Sequence, residues 1–565
     1  LLVTGNYNYW YPNATRFIPN TIHEFPSYSW VVADLHGHVF DIPFVLLTIG
    51  VLLSIFLKFE IQSDNRRTKL QIINSKQKKY VFGFLNLGFI WSRLTRWSTG
   101  FRIWDLLFLG FLCAVMYMTN AWDGLIYLAL SGLLIFIMNL KKISSTHEPL
   151  KISKSKFLIS NKNPNSKFQI PNSILPRTVK QFGIVVAAFI LFNLPFSIHF
   201  KPFVHGIGVV GGYEMAEAVG LVKLLGDEPQ IPDTQPVIQM GPFLLEKGNN
   251  LRSPVWMLAV LWGFFYFHVG AFIVYFLNEI KKLRNFQSLR SLDPIHLFIL
   301  ALISLSTLLL IFPEFFYAKD IYPGHYRANT MFKLGYQAFI MLSIVSTYTI
   351  VTVKRFQPAS ILGKLLKSAY LIFGAFLLFL VMVYPNFAIK SYYGVGENRS
   401  YEGQDGMRWL EGNHPGDYEL INWLRQNQTT ELPNNRTNGT SNVLGSSVNR
   451  SMGSLVILEA VGESYTDYSR ISANSGLSTV LGWPVHEWLW RGSYDEPGRR
   501  VELVRQMYEG TDPVEVRRLL DLFNVTYVVV GDLEREKYTA INENIFGQLG
   551  TIVFSSNNTS LYKVR

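Results

Sequence analysis

Ionisable residues crowd a short segment just before the first long apolar run of the chain. The segment holds Glu24, Asp34, His36 and His38, and the apolar run extends over residues 39–56. Carboxylates and imidazoles exchange protons in catalysis and also bind divalent metal ions. A charged group at a membrane edge is costly unless it pairs or faces water, so we interpret this cluster as a candidate functional site. The alternative is a hydrogen-bond network that only anchors the helix.

The two histidines and the aspartate also suggest a metal site. His36 and His38 stand two residues apart, which places them on one side of an extended segment but on different faces of a helix. With Asp34 they could bind a divalent ion such as Zn²⁺ or Mn²⁺. Because the sequence lacks the His-Glu-X-X-His pattern of zinc enzymes, metal binding is the secondary hypothesis.

The composition is that of a membrane protein. Of 565 residues, 49% are apolar and only 16% are charged, which is too hydrophobic for an ordinary soluble chain. The net charge of +12 comes from Lys and Arg between apolar runs, so it does not indicate nucleic-acid binding. Cys113 is the only cysteine, which excludes an internal disulfide and a Cys-rich metal site.

Eight apolar segments are long enough to cross a hydrocarbon core of about 30 Å. The predicted spans are 39–57, 103–118, 123–140, 181–198, 255–277, 295–312, 331–353 and 366–385. The stretch 81–91 is too short to cross, and we expect it to lie along the membrane surface. The fold class predicted is therefore a polytopic α-helical membrane protein.

The charged loops predict the orientation of these spans. Lys and Arg gather after the first, third, fifth and seventh spans, all on one face of the membrane, and the positive-inside rule makes that face cytoplasmic. Residues 1–38 are then an external loop, residues 39–385 the transmembrane domain with a second external loop at 201–253, and residues 386–565 an extracytoplasmic domain. Because position 1 is Leu, we expect the sequence to begin partway through a longer protein.

The external loop contains a glycine-rich stretch at residues 206–212. It superficially resembles a phosphate-binding turn, but it has no lysine in the P-loop position and does not match the dinucleotide fingerprint. We predict a flexible lid or a re-entrant loop there.

The polar C-terminal region reads as a small α/β domain. Helical patterns cover 417–426, 500–508 and 513–523, and strands are predicted at 455–458, 525–530, 550–554 and 560–564. Asp512 is placed to cap the helix that follows it. Four further residues, His486, Glu487, Trp488 and Arg491, set polar groups beside aromatic faces, as carbohydrate sites do. Docking of this loop onto the membrane domain is the alternative.

Several short motifs, taken in their order and spacing, resemble the YYY membrane-protein family (the Chlor_Arch_YYY domain), a domain of unknown function. The motifs are Glu24-Phe25-Pro26, Ala33 to His38, Thr119 to Asp123, Glu314 to Tyr317, Arg327 to Lys333, Ser469 to Ser472, Leu481 to Glu487, and Tyr527 to Gly531 with Leu533-Glu534. The layout is similar to that of the GT-C glycosyltransferases, which use polyprenyl-phosphate-linked sugars on the outer membrane face. The resemblance implies that activity.

Such a transferase would need a carboxylate to deprotonate the acceptor or bind a metal, and cations to hold the leaving phosphate. Glu24 and Asp34 are the first candidates for the carboxylate, and Glu314 and Asp320 the next, although ionic anchoring by Lys319 or Arg327 would also explain the second pair. GT-C enzymes usually carry their acidic catalytic residue in a first external loop, which a chain beginning partway through would lack.

Two cations and one further aspartate complete the candidate set. Arg327 and Lys333 suit recognition of a phosphate or diphosphate, with snorkelling to lipid headgroups as the alternative. Asp123 follows Trp122 at a predicted membrane edge, where it could bind substrate or only cap a helix. Rival functions are a transporter or flippase for a lipid-linked intermediate, and a noncatalytic scaffold for envelope assembly. The one cofactor that these residue types suggest is a divalent metal.

Overall fold

The structure is a computed structural model. The chain divides into two compact units, Leu1–Gly396 and Glu397–Arg565. The residues described are 10–34, 36–64, 103–146, 174–200, 206–222, 237–248, 251–282, 292–319, 325–393, 405–427, 455–491 and 493–565.

The first unit is built mainly from long apolar helices, because a helix satisfies its backbone groups internally and can therefore sit in lipid. The helices are α1 (Pro26–Val31), α2 (Gly37–Phe40), α3 (Ile42–Asp64), α4 (Ile103–Thr119), α5 (Ala121–Thr146), α6 (Ile174–Ser197), α7 (Gly212–Ala218), α8 (Val255–Lys282), α9 (Pro294–Ile311), α10 (Ala328–Arg355) and α11 (Ile361–Tyr393).

The predicted polytopic helical architecture is confirmed. Within the described residues, seven helical segments are long and apolar enough to cross a membrane, beginning with Gly37–Lys58, which joins α2 and α3. The shorter apolar helix α4 has the place of the second predicted span. The predicted surface segment at 81–91 lies outside the described residues.

Close packing at glycine brings the starts of two spans together. A Cβ added at Gly37 would lie 2.3 Å from the carbonyl oxygen of Thr119, the last residue of α4. One added at Gly124 would lie 2.5 Å from the Tyr117 Cβ. Only glycine allows these backbone approaches, which set the beginning of α2 and of α5 against the end of α4.

We expect Gly37→Ala to destabilise the membrane unit by about 1–3 kcal/mol, because the added methyl group overlaps a backbone carbonyl that cannot move alone. Thermal unfolding of the purified full chain measures the loss. Gly50→Ala is the matched control, since nothing lies within 4 Å of its added Cβ in the same span. Equal midpoints for both variants would contradict the packing described here.

A small sheet adjoins the helices of the first unit. Its strands are β1 (Ile207–Val209), β2 (Val237–Met240), β3 (Phe243–Glu246) and β4 (Phe316–Ala318), in the order β2-β3-β1-β4. Residues 206–212 thus form β1 and the turn into α7, in place of the flexible lid or re-entrant loop that the sequence predicted. The β-branched residues Ile207 and Val209 favour the extended backbone of β1. Gly211, with φ 71°, then turns the chain into α7.

The second unit is the mixed α/β domain that the sequence predicted. Its helices and strands are α12 (Arg408–Asn413), α13 (Pro415–Asn427), β5 (Val456–Leu458), α14 (Arg470–Ser475), β6 (Ser478–Thr479), α15 (Pro484–Arg491), α16 (Asp495–Glu509), α17 (Pro513–Leu522), β7 (Val525–Val530), α18 (Asp532–Lys537), α19 (Glu543–Leu549), β8 (Thr551–Ser556) and β9 (Thr559–Lys563).

The sheet of the second unit has the order β6-β5-β7-β9-β8. The strands β6, β5 and β7 are parallel, whereas β9 pairs antiparallel with β7 and β8. Every residue of β7 is buried, as its run of β-branched and aromatic side chains predicts. Asp512 caps α17 by accepting the Val514 N–H at 3.0 Å, as expected.

Two details differ from the sequence predictions. The residues from Pro484 to Arg491 form α15, not a loop. The last membrane helix, α11, continues through Pro385 to Tyr393, and the division between the units falls after Gly396. A proline late in a long apolar helix reads as a stop in sequence, but such helices tolerate it.

Candidate functional site

Asp34 joins the two histidines that the sequence singled out. Its Oδ1 bonds to His36 Nδ1, and its Oδ2 lies 3.6 Å from His38 Nε2. The His36 side chain is 57% exposed, whereas that of His38 is 2% exposed. A buried and an exposed imidazole therefore share one carboxylate at the edge of the membrane-spanning helices.

Lys333 extends this arrangement into the protein. Its Nζ lies 3.2 Å from His38 Nδ1, and because an ammonium can only donate, Nδ1 must be the acceptor and Nε2 must carry the proton. The His38 ring is held between Phe332 and Tyr336, with ring centroids 4.8 and 4.9 Å away. We call Asp34, His36, His38 and Lys333 the edge cluster.

Asp34 determines which ring nitrogen of a neutral His36 carries the proton. Because Asp34 accepts from Nδ1, the exposed Nε2 of a neutral His36 carries the free lone pair. An imidazole oriented by a carboxylate in this way is the arrangement that general-base catalysis uses. The geometry can therefore abstract a proton from a group that approaches from the aqueous side.

The same residues are the candidate metal ligands of the sequence. Potential ligand atoms of Asp34, His36 and His38 lie within 4.8 Å of one another, so the three could hold an ion. The contacts, however, use the Asp34 oxygen for His36, and the Lys333 ammonium stands beside His38. A positive charge there opposes a divalent cation, so the arrangement fits a proton-transfer site better than a metal site.

Local backbone geometry places Asp34. The chain leaves α1 through Ala33, whose φ of 52° lies in the left-handed region. For a residue with a Cβ that conformation costs about 1–2 kcal/mol. The Asp34 N–H is held by the Ser29 carbonyl at 2.9 Å. A strained turn that aims a carboxylate is a common feature of functional sites, and residue types alone did not reveal it.

Glu24, the other predicted carboxylate, pairs with Arg16. Both terminal guanidinium nitrogens lie 3.3 Å from Glu24 Oε1. Burial raises the pKa of Glu24, an effect that Arg16 opposes, and the Asp34 and Lys333 charges act on the same carboxyl. The structure thus brings Glu24 to the edge cluster, as expected from the sequence.

His23 should make the stability of the first unit depend on pH. Burial, with the Arg327 and Arg16 charges, lowers the pKa of His23 from 6.5 to about 3. Its Nε2 donates to Thr21 Oγ1 at 2.7 Å, since the Thr21 hydroxyl itself donates to the Ile18 carbonyl. The folded protein therefore holds this imidazole neutral, whereas the unfolded chain protonates it below pH 6.5.

We expect the free energy of unfolding to fall as the pH drops from 6.5 towards 3, with a His23 contribution of about 1.4 kcal/mol per pH unit. Thermal unfolding across this range, compared with His23→Gln, measures that contribution. His199→Gln, at an exposed histidine, is the control. If His23→Gln and the parent chain lost stability with the same slope, His23 would not be the group responsible.

A second acidic pair lies deeper, and sequence reasoning missed it. Asp41 and Asp123 are both 0% exposed and lie beside each other at the starts of two spans. Neither carboxylate oxygen of Asp123 accepts a backbone N–H, so the Asp123 side chain does not cap α5. The available signal was an aspartate inside an apolar run three residues after His38, where charge is costly.

Glu314 and Arg327 form a separate buried ion pair. Arg327 NH1 lies 2.7 Å from Glu314 Oε2, and Ser253 donates its N–H and hydroxyl to the same carboxylate at 2.8 and 2.7 Å. Arg327 also donates to the Pro313 carbonyl at 3.2 Å. These bonds favour the anchoring interpretation over a role in catalysis or phosphate binding. Asp320 lies outside the described residues.

Lys319, the other expected anchor, has a different partner. It pairs with Glu246 of β3, whose second oxygen accepts the Tyr317 hydroxyl at 2.6 Å. Glu246 is only 2% exposed. This ion pair stabilises the small sheet of the first unit. Glu314 therefore pairs with Arg327 and not with Lys319.

The four candidates of the second unit all lie in α15. Glu487 accepts the Gly482 N–H at 2.8 Å and Arg491 Nε at 2.9 Å. The His486 ring lies 5.1 Å from that of Trp483, and the Trp488 ring 6.0 Å from that of Tyr494. Glu487 and Arg491 thus stabilise α15, and the aromatic rings beside them keep carbohydrate binding as a prediction.

Motifs of the second unit meet in a buried network. Arg470 is 3% exposed and contacts Asp417 and, at 3.2 Å, Glu534. Glu459 accepts the N–H groups of Ile471 and Ser472 at 3.0 and 3.2 Å. Four separate segments are tied together here, so these motif residues have a structural explanation.

Comparison with known proteins gives a family without an assigned activity. Residues 2–342 match the family described as Uncharacterized membrane protein (DUF2298). A search of curated proteins found no match. The match supports the coarser part of the sequence resemblance, an integral membrane protein of unknown function. The YYY and GT-C resemblances remain predictions.

Proposed function

We propose that this chain, which belongs to the DUF2298 family of uncharacterized membrane proteins, is a GT-C-like glycosyltransferase. In this proposal the protein takes a sugar from a polyprenyl-phosphate donor on the outer face of the plasma membrane. The proposal assigns the edge cluster and, separately, the second unit to the extracytoplasmic compartment.

The observation that carries the proposal is the carboxylate-oriented imidazole at the edge of a membrane bundle. Only His36 in the edge cluster is well exposed, and Asp34 holds it with Nε2 outward. A donor whose lipid lies in the membrane would carry its phosphate to this depth, beside the partly buried Lys333 ammonium. Base and phosphate partner would then stand on the two sides of the reacting carbon.

The reaction needs one proton transfer. The acceptor hydroxyl oxygen bonds to the anomeric carbon while the bond from that carbon to the phosphate oxygen breaks. The hydroxyl proton passes to His36 Nε2, and polyprenyl phosphate leaves with the bonding electrons. Asp34 stabilises the imidazolium that forms, and Lys333 faces the charge that develops on the phosphate.

A transporter for the lipid-linked intermediate is the second candidate. It is favoured by Asp41 and Asp123, which are fully buried within spans, as coupling groups of transporters are. The exposed His36 has no evident part in transport, so we prefer the transferase.

One reconstitution separates the two. The full chain is placed in proteoliposomes with a polyprenyl-phosphate sugar labelled on the sugar, and the label is followed. Label released from the lipid to an acceptor supports transfer. Intact labelled lipid moved to the opposite leaflet supports transport instead, and label that stays in place and on its lipid overturns both.

A further inference from the structure

The buried pair of Asp41 and Asp123 is not used by the proposed transfer reaction. Both side chains are 0% exposed and face each other, and neither carboxylate makes a hydrogen bond of ordinary length and angle to a donor among the described residues. Two ionised carboxylates side by side in a low-dielectric bundle repel each other and lose their hydration. The pair therefore needs a positively charged or neutralising partner.

The groups that face the pair come from the residue between α4 and α5, from α5 and from α10. Asn120 and Gln337 lie against Asp123, and Lys333 and Tyr127 carry the charged and titratable groups nearby. Gln337 is 0% exposed, and its oxygen accepts the Tyr127 hydroxyl at 3.0 Å. Its buried amide nitrogen therefore faces Asp123, without a hydrogen bond of ordinary length and angle.

Charge counting identifies the ligand. Lys333 supplies one positive charge and the two carboxylates supply two negative charges, so one more positive charge is required. A hydrated or divalent cation fits poorly, because Ca²⁺ takes six to eight oxygen ligands, whereas Lys333 and two amides occupy much of the surroundings here.

We propose that Asp41 and Asp123 bind one shared proton, which makes a proton site inside the membrane bundle. Lys333, a member of the edge cluster, links this site to the other members. Its ammonium faces Asp123 and also contacts His38, which lies 3.6 Å from Asp34. A succession of titratable groups thus leads from the buried pair to the exposed His36. The inference is independent of the proposed sugar transfer.

Infrared spectroscopy of the full chain in membranes tests this, since a protonated carboxyl has a C=O stretch that an ionised one lacks. Variant-minus-parent difference spectra at neutral pH cancel the bands of all other carboxyls. Asp41→Asn and Asp123→Asn should each remove one protonated carboxyl, because Lys333 then balances the single aspartate that remains. Lys333→Met should add one, doubling the signal of the pair.

Glu217→Gln, at an exposed position on α7, is the matched control and should leave the spectrum unchanged. No change in the protonated-carboxyl band in all three variants would overturn the proposal. So would a parent band that disappears on adding Na⁺, which would make the ligand a metal cation. If an aspartate variant fails to fold, the gain of one protonated carboxyl in Lys333→Met still tests the proposal.

Discussion

Asp34→Asn is expected to lower the rate of sugar transfer by about 100- to 10,000-fold while the protein stays folded. The amide that replaces the carboxylate can present its N–H₂ to His36, which would turn the imidazole to the wrong tautomer. It also removes the negative charge that stabilises the imidazolium. The measurement is the single-turnover release of polyprenyl phosphate by full-length protein in proteoliposomes.

The control makes the same chemical change elsewhere in the membrane unit. Asp105 lies in the first turn of α4, at the end of that helix away from Thr119, and Asp105→Asn should keep the parent rate. An equal fall in both variants would mean that the loss reflects folding and not the base at His36.

Arg470→Met is expected to produce the largest loss of stability, about 3–5 kcal/mol in the second unit. Burial alone would lower the pKa of Arg470, but Glu534 and Asp417 raise it above its ordinary range, so the guanidinium stays charged. Removing it leaves buried carboxylates uncompensated. Hydrogen exchange of β7, whose residues are all buried, measures the free energy of opening in the full chain.

Arg505→Met is the matched control for that loss. Arg505 also contacts two carboxylates, Glu502 and Glu509, at 2.6 and 2.9 Å, but its side chain is 51% exposed. Exposed pairs contribute little, so β7 should exchange as in the parent chain. Protection of β7 that is unchanged in Arg470→Met would show that the buried network does not hold the unit together.

The sequence predicted the spans well because the chemistry leaves few alternatives. About 20 apolar residues in a row have one stable arrangement in lipid, a helix. The run of β-branched and aromatic residues at 525–530 likewise predicted a buried strand, and Asp512 before Pro513 predicted a helix start. These elements depend on local residues alone.

Contacts between distant segments could not be predicted in the same way. Asp41 and Asp123 meet where Gly37 and Gly124 allow α2, α4 and α5 to pack closely, and no local pattern indicates that Asp41 will face another carboxylate. The histidine pair posed the same difficulty. His36 precedes α2 and His38 lies within it, so neither the extended nor the helical rule alone gave their geometry.

Among the predicted reactive residues, the first-unit cluster was the more predictable part. Their residue types at a membrane edge indicate a site, and Glu24, Asp34, His36, His38 and Lys333 do lie together. Arg327 has the same type and position, yet its guanidinium pairs with Glu314. Whether a cation faces substrate or a neighbour depends on packing, which residue type does not determine.

The most direct test is a double-mutant cycle on Asp34 and His36, with the single-turnover rate of sugar release as the measurement. If Asp34 acts through the imidazole that it orients, the combined Asp34→Asn and His36→Gln variant should be no slower than the slower single variant. If the two losses multiply instead, the residues act independently, and the account of an oriented base at the membrane edge is contradicted.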